Sequence, residues 1–260
     1  MELDIKGKRA LITGASKGIG RAAAEALAEE GCDLDLAART EGPLTELVEA
    51  LRASAQVSVR AHVADLSRAG DQARLIEACG DYDILINNAG SNPAGEIDEV
   101  DDETWRASWD LKVFGYINMC RAFYGRMKAR GDGVIVNVVG NSGERMNAMY
   151  ILGSSGNAGL MALSRALGAR SPDFGVRVLA VNPGLTATDR GQRMLRMWSE
   201  QKYGTPDRWR EFEKELNLPF GRMGTSREVG DVIAFLASPR ASYVSGTVVT
   251  VDGGATNRNF

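Results

Sequence analysis

The sequence predicts one α/β domain over residues 1–260, a doubly wound parallel sheet with helices on both faces. Two observations carry that prediction. Short β-rich runs alternate with helical patterns along the chain, and most of these runs are apolar throughout rather than alternating, as strands buried on both faces must be. A third observation locates the ligand side. Each glycine-rich or polar motif follows a strand, and open sheets of this kind bind ligands outside the carboxyl ends of their strands.

In chain order, the runs at 9–13 (RALIT), 33–38 (DLDLAA), 57–63, 84–87 (ILIN), 133–139 (GVIVNVV), 176–181 (VRVLAV) and 247–251 (TVVTV) read as strands. Helical patterns at 20–30, 43–53, 69–79, 103–130, 155–169 and 226–237 lie between them. The segment 190–218 is irregular and carries Trp198, Tyr203, Trp209 and Phe212 among many charges. It reads as a candidate substrate lid, with a solvated helix pair or an oligomer contact as the alternatives.

Composition narrows the function classes. With 44% hydrophobic and 25% charged residues, 260 residues suffice for one globular domain with a sizeable core. A net charge of −3 gives no electrostatic reason to expect a nucleic-acid partner. No apolar run approaches the roughly 18 residues of a membrane span. The start, MELDIKGKRALITG, reads as a short strand rather than a signal peptide, so a cytoplasmic location is the default expectation. Cys32, Cys79 and Cys120 follow no metal or disulfide spacing and read as core filler, and no metal site is expected.

The strand at 9–13 runs into Gly14-Ala15-Ser16-Lys17-Gly18-Ile19-Gly20 and then into a helix. Such glycines permit a tight turn and close approach of backbone N–H groups to a pyrophosphate, and the helix N-terminus adds favourable partial charge. With Thr13-Gly14-x-x-x-Gly18-x-Gly20, Asn87-Asn88-Ala89-Gly90, Asp65-Leu66, Asn182-Pro183-Gly184 with Thr188, and Val251-Asp252-Gly253-Gly254, the chain resembles the short-chain dehydrogenase/reductase family over nearly its whole length. The resemblance implies a Rossmann-like fold, a nicotinamide dinucleotide and a small-molecule substrate. It implies cofactor contacts at Gly14, Ser16, Lys17, Gly18, Ile19, Gly20, Arg39, Asp65, Leu66, Asn88, Ala89, Gly90, Asn157, Pro183, Gly184 and Thr188. A homodimer or homotetramer is implied likewise.

NAD-preferring sites place a carboxylate at the end of the second strand, on the ribose 2′-hydroxyl. Here that strand ends Ala37-Ala38-Arg39, and Asp33 and Asp35 lie too early. Arg39, with Lys17 in the loop, suits a 2′-phosphate instead, so NADP(H) is the expected cofactor. Two ordinary surface cations are the alternative.

The family's reaction uses a Tyr, a Lys four residues later, a Ser thirteen residues before the Tyr, and an Asn on the preceding long helix. Aligning the run that begins Ala158-Gly159-Leu160-Met161 places Asn157 at the Lys position, Gly153 at the Tyr position and Gly140 at the Ser position. The Asn position falls on Lys112. Lys112 is then the main candidate proton donor, or a structural lysine bound to backbone carbonyls. Asn157 is a candidate ribose partner. Tyr150 reads as a catalytic candidate or as packing at a helix start, and Ser142, Glu144 and Arg145 are weaker candidates. His62, the one histidine, reads as packing. Three functions remain: an NADP(H)-dependent oxidoreductase of carbonyls or alcohols with an atypical proton relay, a catalytically silent NADP(H)-binding sensor or partner subunit, and a non-redox enzyme on the same pocket.

Overall fold

A computed structural model describes residues 2–258. Four apolar runs form its centre: β1 (Arg9–Thr13), β4 (Ile84–Asn87), β5 (Gly133–Val138) and β6 (Val176–Pro183). Around them β2 (Asp33–Ala38), β3 (Val59–Val63) and β7 (Val248–Val251) complete one parallel sheet in the order β3-β2-β1-β4-β5-β6-β7. Hydrophobic runs that cannot face water on either side have to lie mid-sheet between two helical layers. Conversely, β3 and β7 sit at the sheet edges, and both keep several residues exposed or half-buried.

Helices α1 (Gly18–Glu29), α2 (Glu41–Ser54), α3 (Ala69–Ala78), α4 (Asp102–Trp109), α5 (Gly115–Arg130), α6 (Ile151–Arg170), α7 (Asp189–Tyr203), α8 (Trp209–Glu215) and α9 (Ser226–Ala237) connect the strands. α1 lays its alanine face on α9 so closely that a β-carbon at Gly230 would come 2.8 Å from the Ala22 backbone. A capping box starts α9: the Thr225 hydroxyl accepts from the Glu228 N–H and the Glu228 carboxylate returns to the Thr225 N–H.

Sequence order reverses between β1 and β4, which are neighbours in the sheet. The loops after those two strands therefore part, and the crevice between them is where such a sheet receives a ligand. Buried amides hold the adjoining strands in register. Asn87 Nδ2 donates to Asn137 Oδ1 at 2.9 Å, and Asn137 Nδ2 donates to Ser164 Oγ of α6 at 2.9 Å. Asn137 is thus committed to the core and faces no ligand.

Several element boundaries differ from the sequence expectation. The helix expected at 155–169 begins at Ile151, and the helix expected at 103–130 contains a π-helical turn, Asp110–Phe114, between α4 and α5. β3 starts at Val59 rather than 57. The irregular segment is helical: α7 and α8 pack through Phe212, whose ring lies 6.2 Å from Trp198 and 6.3 Å from Tyr203. Its aromatics cover one another, which is why no period against the body was legible. All three cysteines are buried and free. Among the described residues no helix is long and apolar enough to cross a membrane, and no cluster suits a metal ion.

Candidate functional site

The loops after β1 and β4 are stitched together at their roots. Thr13 Oγ1 accepts from the Asn88 N–H at 2.9 Å and the Ala89 N–H at 3.1 Å. The Asn88 amide donates to the carbonyls of Thr13 and Gly14 at 3.1 and 3.0 Å. A β-carbon at Gly20 would lie 2.4 Å from both Asn88 Nδ2 and the Gly14 oxygen, so only glycine lets α1 begin against this stitch. Lys17 caps α1 in an extended conformation and gives it no side-chain hydrogen bond. The helix-start N–H groups are therefore not covered by their own cap and face the crevice beside Ser16, Gly18 and Ile19. This cradle fits an anionic pyrophosphate. A groove of about 580 Å³ adjoins it, lined by Ser16, Lys17, Gly18, Thr188 and Asp189 among others.

On the adenosine side, β2 ends at the buried Ala38 and is followed by the exposed Arg39. Asp65 follows β3. Burial raises its pKa, but the Ser67 hydroxyl and N–H bonds to Oδ1, at 2.7 and 3.1 Å, with Arg39 and Arg68 nearby, leave it net lowered. Leu66 beside it is buried. Lys17 Nζ stands 3.8 Å from Asp189 Oδ2, both largely exposed, a pair of little energetic weight. Asp35, buried within β2, receives Arg60 and lies 2.6 Å from His62 Nε2. Burial opposes its charge, yet these partners hold its pKa at about 2. His62 is thereby committed to a structural pair.

At the ends of β4 and β5 the remaining candidates converge. Lys112 sits in the π-helical turn, and its stem lies against Gly90. Its Nζ donates to the Val139 carbonyl at 2.5 Å. Burial, and secondarily the charge of Arg190, push its pKa down to about 7. Asn157 donates to Ser142 Oγ at 2.8 Å and to the Gly140 carbonyl at 3.4 Å, whereas its Oδ1 is buried without a partner among the described residues. Such an orphaned acceptor beside the cradle fits a ligand hydroxyl. Gly140 has φ +128°, a conformation that side chains rarely adopt. Pro183 ends β6, Gly184 follows it, and Thr188 caps α7 by accepting from the Gly191 N–H at 3.0 Å. Glu144 turns away to Thr250 and Arg165, and Arg145 reaches the Ala255 carbonyl at 3.4 Å.

Tyr150 is the surprise of the site. It is buried at the start of α6, and its hydroxyl accepts from Arg190 Nη2 at 2.5 Å. Arg190 was absent from the sequence expectation. The sequence signal available was its place two residues after Thr188, the end of the Asn182–Thr188 motif, and that does not tell which way the side chain turns.

The model of the family described as enoyl-(acyl carrier protein) reductase matches residues 14–256. Galactitol 2-dehydrogenase (L-tagatose-forming) of Cereibacter sphaeroides is 35% identical over 255 residues, 97% of this chain and 96% of that protein. 3-oxoacyl-(acyl-carrier-protein) reductase FabG of Vibrio harveyi is 30% identical over 253 residues, covering 97% of this chain and 98% of its own. Among solved structures, L-sorbose reductase from Gluconobacter frateurii complexed with NADPH and L-sorbose superposes with a TM-score of 0.91, at 30% identity over 100% of both chains.

Proposed function

The chain belongs to the short-chain dehydrogenase/reductase family, and from that premise we propose that it is an NADP(H)-dependent oxidoreductase of small, polar carbonyl or alcohol substrates, with a proton relay of its own. The observation that carries this reading is the cradle between the loops after β1 and β4, where Gly14 and Gly20 let the two loops close on each other through Asn88 and leave the start of α1 without a side-chain cap. Bound there, a nicotinamide dinucleotide supplies hydride chemistry at its ring. The protein's share is positioning and the proton.

Ser16, Gly18, Ile19 and the start of α1 hold the pyrophosphate, while Asp65, Leu66 and Asn88-Ala89-Gly90 border the adenosine and the nicotinamide side. Asn157 Oδ1 takes a ribose hydroxyl, filling the acceptor that otherwise stays unpaired. Pro183, Gly184 and Thr188 close the far side. Arg39 and Lys17 face the 2′-phosphate. The complex of L-sorbose reductase with NADPH, at 30% identity, supports the same choice. Lys112, with its pKa near 7, exchanges protons close to neutrality behind the substrate site.

The substrate class follows from polarity. Among the described residues Asn92 Oδ1, like Asn157 Oδ1, is a buried acceptor without a partner, and the Ser142 hydroxyl borders the site. A polyhydroxylated carbonyl such as a ketose meets these groups. The galactitol and L-sorbose enzymes among the relatives support that class over a purely apolar one. α7 and α8 act as the lid, with Arg190 at its root. The assembly is a homodimer or homotetramer joined through α5 and α6, the family's habit.

Fluorescence titration with NADPH and NADH tests the cofactor half of this reading. The unaltered protein is expected to bind NADPH at least tenfold tighter. Arg39→Ala is expected to weaken NADPH roughly tenfold, the loss of one charge-assisted contact, and to leave NADH almost unchanged. Equal affinity for the two dinucleotides contradicts the NADP(H) assignment, and equal weakening of both removes Arg39 from the choice.

A further inference from the structure

Counted along the chain, Gly153 is simply a missing side chain. In space it is not. A β-carbon at Gly153 would stand 1.9 Å from Tyr150 Cε1 and 2.3 Å from its Cζ, so the Tyr150 ring fills the volume that any side chain at 153 would enter. The ring arrives there because Tyr150 precedes the first turn of α6, with φ −138° and ψ 41°, and its backbone bridges to Gly95. An aromatic ring three residues early has thus been folded back over the helix start.

Its hydroxyl is held from one side. Arg190 Nη2 donates to it at 2.5 Å, and Nη1 of the same guanidinium donates to the Gly90 carbonyl at 3.3 Å. A guanidinium has no acceptor. Arg190 therefore occupies a lone pair of the phenol oxygen and leaves the phenolic hydrogen for another oxygen. Lys112 differs: its ammonium already donates to the Val139 carbonyl inside the protein. That bond uses one of three N–H groups, whereas the single hydrogen of the Tyr150 phenol is given to no described residue.

We propose that Tyr150 is the proton donor of this oxidoreductase, that Gly153 is glycine because the phenol ring needs its space, and that Arg190 is the positioning residue that anchors the phenol to the Asn87–Gly90 segment. The proposal rests on the oxidoreductase reading above. In the reducing direction the Tyr150 O–H bond breaks and an O–H bond forms on the substrate oxygen. A bound reduced dinucleotide would supply the hydrogen and electron pair that the carbonyl carbon takes up. The products are the alcohol, the oxidised dinucleotide and a phenolate paired with Arg190, which recovers its proton from solvent. Alcohol oxidation is the reverse. Because Arg190 is the second residue of α7, any movement of that helix also moves the phenol's anchor.

Two readouts test it. In the cofactor-free protein labelled with fluorotyrosine, the fluorine resonance missing from Tyr150→Phe identifies residue 150. That resonance is expected to shift in Arg190→Gln and in Gly153→Ala, where a new methyl must displace the ring. With NADPH and a carbonyl substrate, Tyr150→Phe is expected to lower kcat by roughly 10²–10⁴-fold, with NADPH affinity within about twofold. Arg190→Ala is expected to lose turnover and to recover part of it on addition of guanidinium, which a merely structural arginine would not permit. A kcat for Tyr150→Phe within about threefold of the unaltered protein overturns the proposal and leaves the oxidoreductase reading standing. So does a fluorine resonance indifferent to both neighbouring substitutions. No carbonyl-dependent NADPH oxidation by the unaltered protein overturns both.

Discussion

Gly20→Ala is expected to abolish dinucleotide binding, weakening NADPH by at least about 100-fold, or some 2.7 kcal/mol. The added methyl would sit 2.4 Å from Asn88 Nδ2 and from the Gly14 carbonyl oxygen, the two atoms whose own 3.0 Å hydrogen bond joins the loops after β1 and β4. Neither is the free end of a flexible chain. Either Asn88 releases the Gly14 carbonyl, or α1 withdraws and carries its first-turn N–H groups out of the cradle. Overpacking of this kind costs roughly 1–3 kcal/mol of stability, so Tm should fall by only about 3–10 °C while binding disappears. Gly159→Ala is the matched control: it lies exposed on α6 with nothing within 4 Å of a new β-carbon. Its NADPH affinity should equal that of the unaltered protein. Retained binding in Gly20→Ala would show that the cradle is not where the phosphates sit.

Lys112→Met is expected to stabilise the protein most at acid pH, and progressively less as pH rises. The sign follows from the proton count. Burial holds the folded pKa at about 7, below the ordinary lysine value of 10.5 that the unfolded chain has. Below pH 7 both states carry the proton and the folded state bears the full cost of a buried ammonium. Between these two values the unfolded chain binds more protons than the folded one, so stability of the unaltered protein rises with pH across that window. At 1.36 kcal/mol per unit the cost approaches about 5 kcal/mol as an upper bound. The methionine leaves the Val139 carbonyl without its donor, a penalty of roughly 1–3 kcal/mol that does not vary with pH. Urea unfolding at pH 6 and pH 9 separates the two effects. The stability difference between variant and unaltered protein should shrink by about 2–3 kcal/mol between those pH values. A difference independent of pH would mean that Lys112 keeps its charge at little cost.

The fold was legible because burial dictates it. Runs such as ILIN and VRVLAV have nowhere to go but the middle of a sheet, and the glycine loop between RALIT and a helix marks the ligand end. The edges were less legible: β3 mixes Arg60 and His62 with apolar residues, and only its place beside β2 accounts for the shorter strand. The two cations suggested for the 2′-phosphate, Arg39 and Lys17, are both exposed, and Lys17 lines the groove beside the glycine loop.

Lys112 and Tyr150 were legible as candidates, but the contacts on which the proposed proton donor rests were not, for physical reasons. Alignment places residues along a helix but says nothing of a ring folded back over it, so Gly153 and Tyr150 look unrelated until their contact is seen. Arg190 belongs to another helix, forty residues on. The backbone of Gly140, with φ +128°, is likewise invisible in its neighbours. One consequence concerns redesign. Gly140→Ser would strain the backbone and Gly153→Tyr would collide with Tyr150, so combining them with Lys112→Asn and Asn157→Lys would not by itself rebuild the family's usual arrangement.

Carbonyl-dependent oxidation of NADPH by the purified protein, followed by absorbance against a panel of ketoses, sugar acids and short oxo-esters, tests the central claim most directly. The account predicts sustained, stoichiometric conversion of at least one polyhydroxylated carbonyl to its alcohol, faster with NADPH than with NADH. Tight NADPH binding with no oxidation across the panel would contradict it and mark the chain as a silent binder of the dinucleotide. Conversion of substrate with the nicotinamide left unchanged would contradict it in another way and mark a non-redox enzyme on the same pocket.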